Sequence, residues 1–126
     1  MEKPRILVVD DSQEIAVLLK AALDRTGRFT VQVERNPLNV LTVVRQFHPA
    51  LILLDIMMPE MDGGELAGRI LADPQLQPPK PTIIFLTSAI TKEEVAAQGG
   101  IVGGRPMLSK STSPQEIVEH ITKALA

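Results

Sequence analysis

The 126-residue chain has no cysteine, no tryptophan and no tyrosine, and only three phenylalanines. Without cysteine it forms no disulfide and no thiolate metal centre. Without tyrosine or tryptophan, a platform for stacking nucleic-acid bases is hard to build. Neither sign of charge dominates: 13 basic and 15 acidic side chains leave a formal charge of −2, no electrostatic reason to expect nucleic acid or anionic lipid as a partner. No apolar run is long enough to span a bilayer, so no membrane contact is expected. The opening MEKPRILVVDD lacks the long apolar stretch and cleavage site of a signal peptide, and a cytoplasmic location is the expectation. What is present is the material of one domain with an aliphatic core: 44% of residues are hydrophobic and 22% charged. A single domain covering residues 1–126 is therefore expected.

Short β-like runs alternate with amphipathic helices. RILVVD (5–10) and ALILLD (50–55) are continuous apolar runs suited to strands buried on both faces, whereas FTVQVE (29–34) alternates like a half-exposed strand nearer an edge. TIIFLT (82–87) and PMLSK (106–110) complete five predicted strands. Ser12, Asp62, Thr91 and Ser113 are placed to cap helices one, three, four and five, and Glu65, Glu94 and Glu116 lie three residues on, as capping boxes require. Helix one carries an apolar stripe of Ile15, Leu18, Leu19 and Ala22 and ends near Gly27, while helix two runs from about Leu38 to Phe47. Helix three fades at Asp73–Pro74, and helix four is short because Gly99 and Gly100 follow it closely. The last helix has its stripe at Ile117, Val118, Ile121 and Leu125. Five strands alternating with five helices imply right-handed crossovers and a doubly wound parallel α/β sheet covered on both faces.

In such a sheet ligands bind beyond the carboxyl ends of the strands. Four predicted strands end there in polar residues: Asp10 with Asp11, Asp55, Thr87 and Lys110. Adjacent carboxylates at the mouth of a buried strand repel one another and lose hydration, so they need a positive partner. Mg²⁺ fits this donor set, since it prefers a few carboxylates, several waters and a phosphate. A carboxylate so placed can attack phosphorus and become an aspartyl phosphate. Asp55, ending the central-looking apolar strand, is the best nucleophile; Asp10 and Asp11 would hold metal, and Thr87 and Lys110 would contact phosphoryl oxygens.

The motifs VVDDS, LLDIMMPEMDGGEL, IIFLTSA and the lysine of MLSK, in this order and spacing, resemble the receiver domains of two-component response regulators over nearly the whole chain. The resemblance implies a flavodoxin-like (βα)5 fold with a five-stranded parallel sheet in the order 2-1-3-4-5. It also implies Asp55 as phosphoacceptor, and Mg²⁺ bound directly by Asp11, Asp55 and the carbonyl of Met57, with Asp10 assisting through water. Thr87 would be the switch hydroxyl and Lys110 the lysine typical of the family. The implied phosphodonor is a sensor histidine kinase or phosphotransfer protein. The face of the fourth helix, fifth strand and fifth helix is the implied surface for a homodimer. A turnover enzyme is not expected, because no second general acid or base is evident near Asp55. The rival reading is a receiver-like adaptor that binds partners without phosphorylation.

Two positions depart from the family pattern. Met107 stands where an aromatic residue usually reports phosphorylation, and Ser111 follows the lysine where proline in a cis peptide is usual. A non-proline cis bond costs roughly 2.5–4 kcal/mol, so the loop must be strained or rebuilt. With no ring at position 107, the response to phosphorylation is expected in residues 99–111. GGIVGG (99–104) leads into a strand and not a helix, which argues for a flexible connection over a phosphate loop. Met57, Met58 and Met61 divide between loop packing and a partner surface, and His48 and His120 read as surface or helix-end residues.

Overall fold

The computed structural model describes residues 2–102 and 104–126. In chain order the elements are β1 (Arg5–Val9), α1 (Gln13–Arg25), β2 (Thr30–Glu34), a 3-10 turn (Pro37–Asn39), α2 (Val40–Phe47), β3 (Leu51–Asp55), α3 (Gly63–Leu71), β4 (Thr82–Thr87), α4 (Lys92–Ala97), β5 (Ile101–Val102), β6 (Arg105–Ser109) and α5 (Pro114–Ala124). The sheet order is β2-β1-β3-β4-β6-β5. The first five strands of that order pair in parallel and reproduce the expected 2-1-3-4-5 arrangement, with β6 as the fifth parallel strand. The addition is β5, antiparallel to β6, with Ile101 opposite Pro106 and Val102 opposite Arg105. GGIVGG is thus partly strand, and Gly103 lies outside the described residues.

Alternation along the strands builds two apolar layers, as a period of two dictates. Ile6, Val8, Leu53 and Leu86 face α1 and α5, meeting Leu19, Leu23, Ile117 and Ile121. Leu7, Val9, Ile52 and Leu54 face α2 and α3, meeting Val40, Val44, Leu66 and Ile70. β3 is buried at all five positions, whereas β2, at the edge, has no fully buried residue. The sheet's central strands therefore carry the site with almost no solvent behind it.

The caps form as their chemistry requires. Ser12, Thr91 and Ser113 accept from the amides of Ile15, Glu94 and Glu116, and Asp62 accepts from those of Gly64 and Glu65. The capping box at Asp62 is only half made, because Glu65 pairs with Arg69 at 2.9 Å. The α1 stripe is rotated from expectation. Ala16, Leu19 and Leu23 are buried, while Leu18 is 55% exposed. Position 23 sits one turn beyond Leu19, so packing on β2 and α5 selects 16, 19 and 23 as the inner line. α2 itself begins at Val40, after the 3-10 turn that Asn36 caps through the Leu38 amide.

Candidate functional site at the carboxyl edge

β1 and β3 are neighbours, so the residues that follow or end them lie side by side. Val9 pairs with Leu54, which sets Asp10 next to Asp55. Asp10, Asp11 and Asp55 each present a carboxylate oxygen within 4.8 Å of the others. Asp10 and Asp55 are buried and Asp11 is exposed, so the cluster opens to solvent on one side. Local backbone holds the two buried acids. The Ser12 amide donates to Asp10 Oδ1 at 2.9 Å, and the Met57 amide donates to Asp55 Oδ1 at 3.1 Å.

Lys110 enters from the end of β6. Its Nζ lies 2.7 Å from Asp10 Oδ2 and 3.3 Å from Asp55 Oδ2, with only 13% of the side chain exposed. Asp10 Oδ2 is buried, with this ammonium as its counter-charge and no other donor among the described residues. Burial pushes the Asp55 carboxyl up to about 6 from its ordinary 3.8; the Met57 amide opposes this, Asp10 adds to it and Lys110 pulls back. Burial alone would lower the Lys110 ammonium, but Asp10 and Asp55 outweigh it and hold it above its usual value.

Thr87 ends β4 one residue beyond Leu86, the partner of Asp55, and is 2% exposed. Its hydroxyl accepts from the Ala89 amide at 3.1 Å, and its carbonyl receives the Lys110 amide at 2.7 Å. The β3–α3 loop closes against the site because Gly63 has no side chain. A Cβ there would run into the Asp55 carbonyl oxygen, and the Gly63 amide donates to Ile56 O at 2.9 Å.

All five polar residues expected at this edge are brought to it. Met57 lies beside Asp55 through its amide, and its side chain is 66% exposed, whereas Met58 is buried in the α2–α3 layer. Asp62 caps α3. His48 is the left-handed C-cap of α2, and His120 lies on exposed surface of α5. Among the described residues, the Lys110–Ser111 peptide is not one of the cis bonds. Met107, 5% exposed, packs opposite Phe85 of β4, over whose ring the Arg105 guanidinium sits at 5.3 Å. The backing role of Gly63 and the hydroxyls around Lys110 escape sequence reading, although the SKS string already flanked the lysine with two serines.

The donor set fits a hard divalent cation. Three carboxylates and one ammonium total −2, the buried Asp10 Oδ2 has only that ammonium as a partner among the described residues, and the exposed Asp11 leaves a side open for water. Fold and edge together define a flavodoxin-like α/β domain whose carboxyl edge gathers three carboxylates and an ammonium, with a buried threonine at the end of the neighbouring strand.

Residues 6–122 match the family model for the response regulator receiver domain, and the chain belongs to that family. It is 34% identical, over 95% of its length, to protein-glutamate methylesterase/protein-glutamine glutaminase 3 of Rhodospirillum rubrum, covering 34% of that protein. It is likewise 34% identical over 95% of its length to the transcriptional regulatory protein SrrA of Staphylococcus aureus, covering 46% of it. Among solved structures, a CheY-like receiver domain from Methanospirillum hungatei superposes with a TM-score of 0.75 at 25% identity, covering 98% of this chain and 94% of that one. The chain spans between about a quarter and a half of the length of the first curated relatives it matches. It is a receiver domain of the two-component response regulator kind, and such a domain is not itself a turnover enzyme. No described helix is long and apolar enough to cross a membrane.

Proposed function

We propose that residues 1–126 form one phosphoacceptor unit in which Asp55 takes a phosphoryl group from a phosphohistidine on a sensor histidine kinase or phosphotransfer protein. The carrying observation is the placement of Asp55, a buried carboxylate at the end of the wholly buried β3, facing Lys110 Nζ at 3.3 Å and gathered with two further acids. An Asp55 oxygen forms the new bond to phosphorus as the donor's phosphorus–nitrogen bond breaks, and the imidazole leaves with that electron pair.

Asp10, Asp11 and Asp55, with the carbonyl of Met57, would hold Mg²⁺ at this edge. When bound, the cation neutralises charge on phosphoryl oxygens and offsets the repulsion among the carboxylates. Lys110 supplies fixed positive charge from the β6 side, prepaid by its contacts with Asp10 and Asp55. The Met57 amide keeps Asp55 Oδ1 engaged, which orients the carboxylate. Thr87 offers a hydroxyl one strand away, and movement of that hydroxyl toward the new phosphoryl group transmits the event to the β4–α4 loop.

Phosphoramidate with Mg²⁺ tests the assignment, with intact mass as the readout. The native protein should gain one phosphoryl group, and Asp55→Asn should gain none. Equal labelling of the two would refute Asp55, and no labelling of either would favour the unphosphorylated adaptor.

A further inference from the structure

Lys110 begins at a turn that has to be fixed, because its side chain is long and its ammonium must sit between two carboxylates. The usual rigid proline is absent, and Ser111 takes its position. The structure shows what stands there instead. Ser109 is 2% exposed, and its hydroxyl accepts the Ser111 amide at 3.2 Å. The Ser109 and Ser111 hydroxyls are 2.8 Å apart and share a second hydrogen bond. The Thr112 amide donates to Ser109 O at 3.0 Å and closes the turn, while the Lys110 amide is tied to Thr87 O at 2.7 Å. The residues on either side of Lys110 are therefore bonded to one another across it, twice, through the Ser109 hydroxyl. The donor used, the Ser111 N–H, is one that proline does not possess.

We infer that the Ser109–Ser111 hydroxyl clasp is the positioning device for Lys110, setting where its ammonium meets the phosphoryl group. This rests on the reading of Asp55 as phosphoacceptor. Neither serine touches the reacting atoms, so both are positioning residues. Ser109 takes part in both clasp bonds, whereas Ser111 retains its amide bond when its hydroxyl is removed. Loss of the Ser109 hydroxyl must then do more damage than loss of the Ser111 hydroxyl. A misplacement of about 1 Å in such a group can cost on the order of 100-fold in rate, so a loosened clasp is readable in kinetics.

The test is the rate of phosphoryl gain from phosphoramidate, with Mg²⁺ affinity measured separately by calorimetry. Ser109→Ala should slow labelling by about tenfold or more, Ser111→Ala by less, and Ser111→Thr should restore the native rate. Mg²⁺ affinity should stay within about twofold in all three, because the acids are untouched. In a Lys110→Ala background the Ser109→Ala change should add nothing, since there is no ammonium left to place. If Ser109→Ala fails to fold by urea titration, Ser111→Ala against Ser111→Thr decides. Native rates in Ser109→Ala and Ser111→Ala, or an equal loss from Ser109→Ala with and without Lys110, would overturn the clasp. Labelling of Asp55→Asn would instead overturn the phosphoacceptor reading, so the two failures are told apart.

Discussion

Single atoms decide how close the loops come to the Asp55 edge. Gly63 and Gly68 both lie in α3, yet their surroundings are opposite. A Cβ at Gly63 would collide with the Asp55 carbonyl oxygen and Ile56 Cα, which are backbone atoms that cannot swing aside. A Cβ at Gly68 would meet nothing within 4 Å. Gly63→Ala should therefore cost about 1–3 kcal/mol and slow phosphoryl gain by shifting Asp55. Gly68→Ala should stabilise by roughly 0.5–1 kcal/mol, the ordinary gain of alanine over glycine inside a helix, with labelling unchanged. Urea titrations and intact-mass time courses on the pair check this, and a costless Gly63→Ala would contradict the packing argument. The two glycines look alike in GGELAG, so their difference is legible only in three dimensions. The acids, Thr87 and Lys110 were legible because strand ends in an alternating α/β chain all point to one edge. The serine clasp was not, since hydroxyls leave no periodic signal.

Between elements, the tie that sequence reading missed is Arg45 to Asp73. Asp73 lies just beyond α3 and is buried, and Arg45 reaches it from α2 through Nε at 2.7 Å and a second nitrogen at 3.1 Å. Lys80 adds bonds to Asp73 O at 2.7 Å and Leu76 O at 2.9 Å, fixing the connection into β4. Arg45 and Asp73 are 28 residues apart, a separation that no helical or strand period marks. The rotated α1 face and the short β5 escaped for a related reason: contact with other elements, not local pattern, chose them. The Arg45 guanidinium bonded to Asp73 holds its carboxyl below the usual carboxylate range. A carboxyl with a depressed folded value contributes stability that is fully present above its unfolded value, near 3.9, and is lost as pH falls through the folded one. Asp73→Asn should thus lower the urea midpoint at pH 7 and lessen the protein's loss of stability at about pH 3. An unchanged midpoint at pH 7 would mean the tie contributes nothing.

For the whole molecule, the acidic edge sets stability against function. Two apolar layers surround a sheet whose central strands deliver Asp10 and Asp55 into burial, with Asp11 beside them and Lys110 as the one cation contacting the pair among the described residues. The remaining −2 on these four side chains is uncompensated, and the Asp55 carboxyl within the cluster is raised chiefly by burial, with a smaller push from Asp10. A divalent cation bound only by the folded state should remove that imbalance and stabilise the fold by mass action, about 2.7 kcal/mol at a hundred times the dissociation constant. Mg²⁺ should therefore raise the urea midpoint of the native protein, and EDTA should reverse the rise. Asp11 is the informative position because it is exposed, so removing it leaves the core untouched. Asp11→Ala with EDTA should be at least as stable as the native protein with EDTA, since one repelling carboxylate is gone. With Mg²⁺ the variant should show little or no rise. A rise equal to the native one would place the cation elsewhere than between Asp11 and Asp55, and would separate the edge's charge imbalance from its proposed role in phosphoryl transfer.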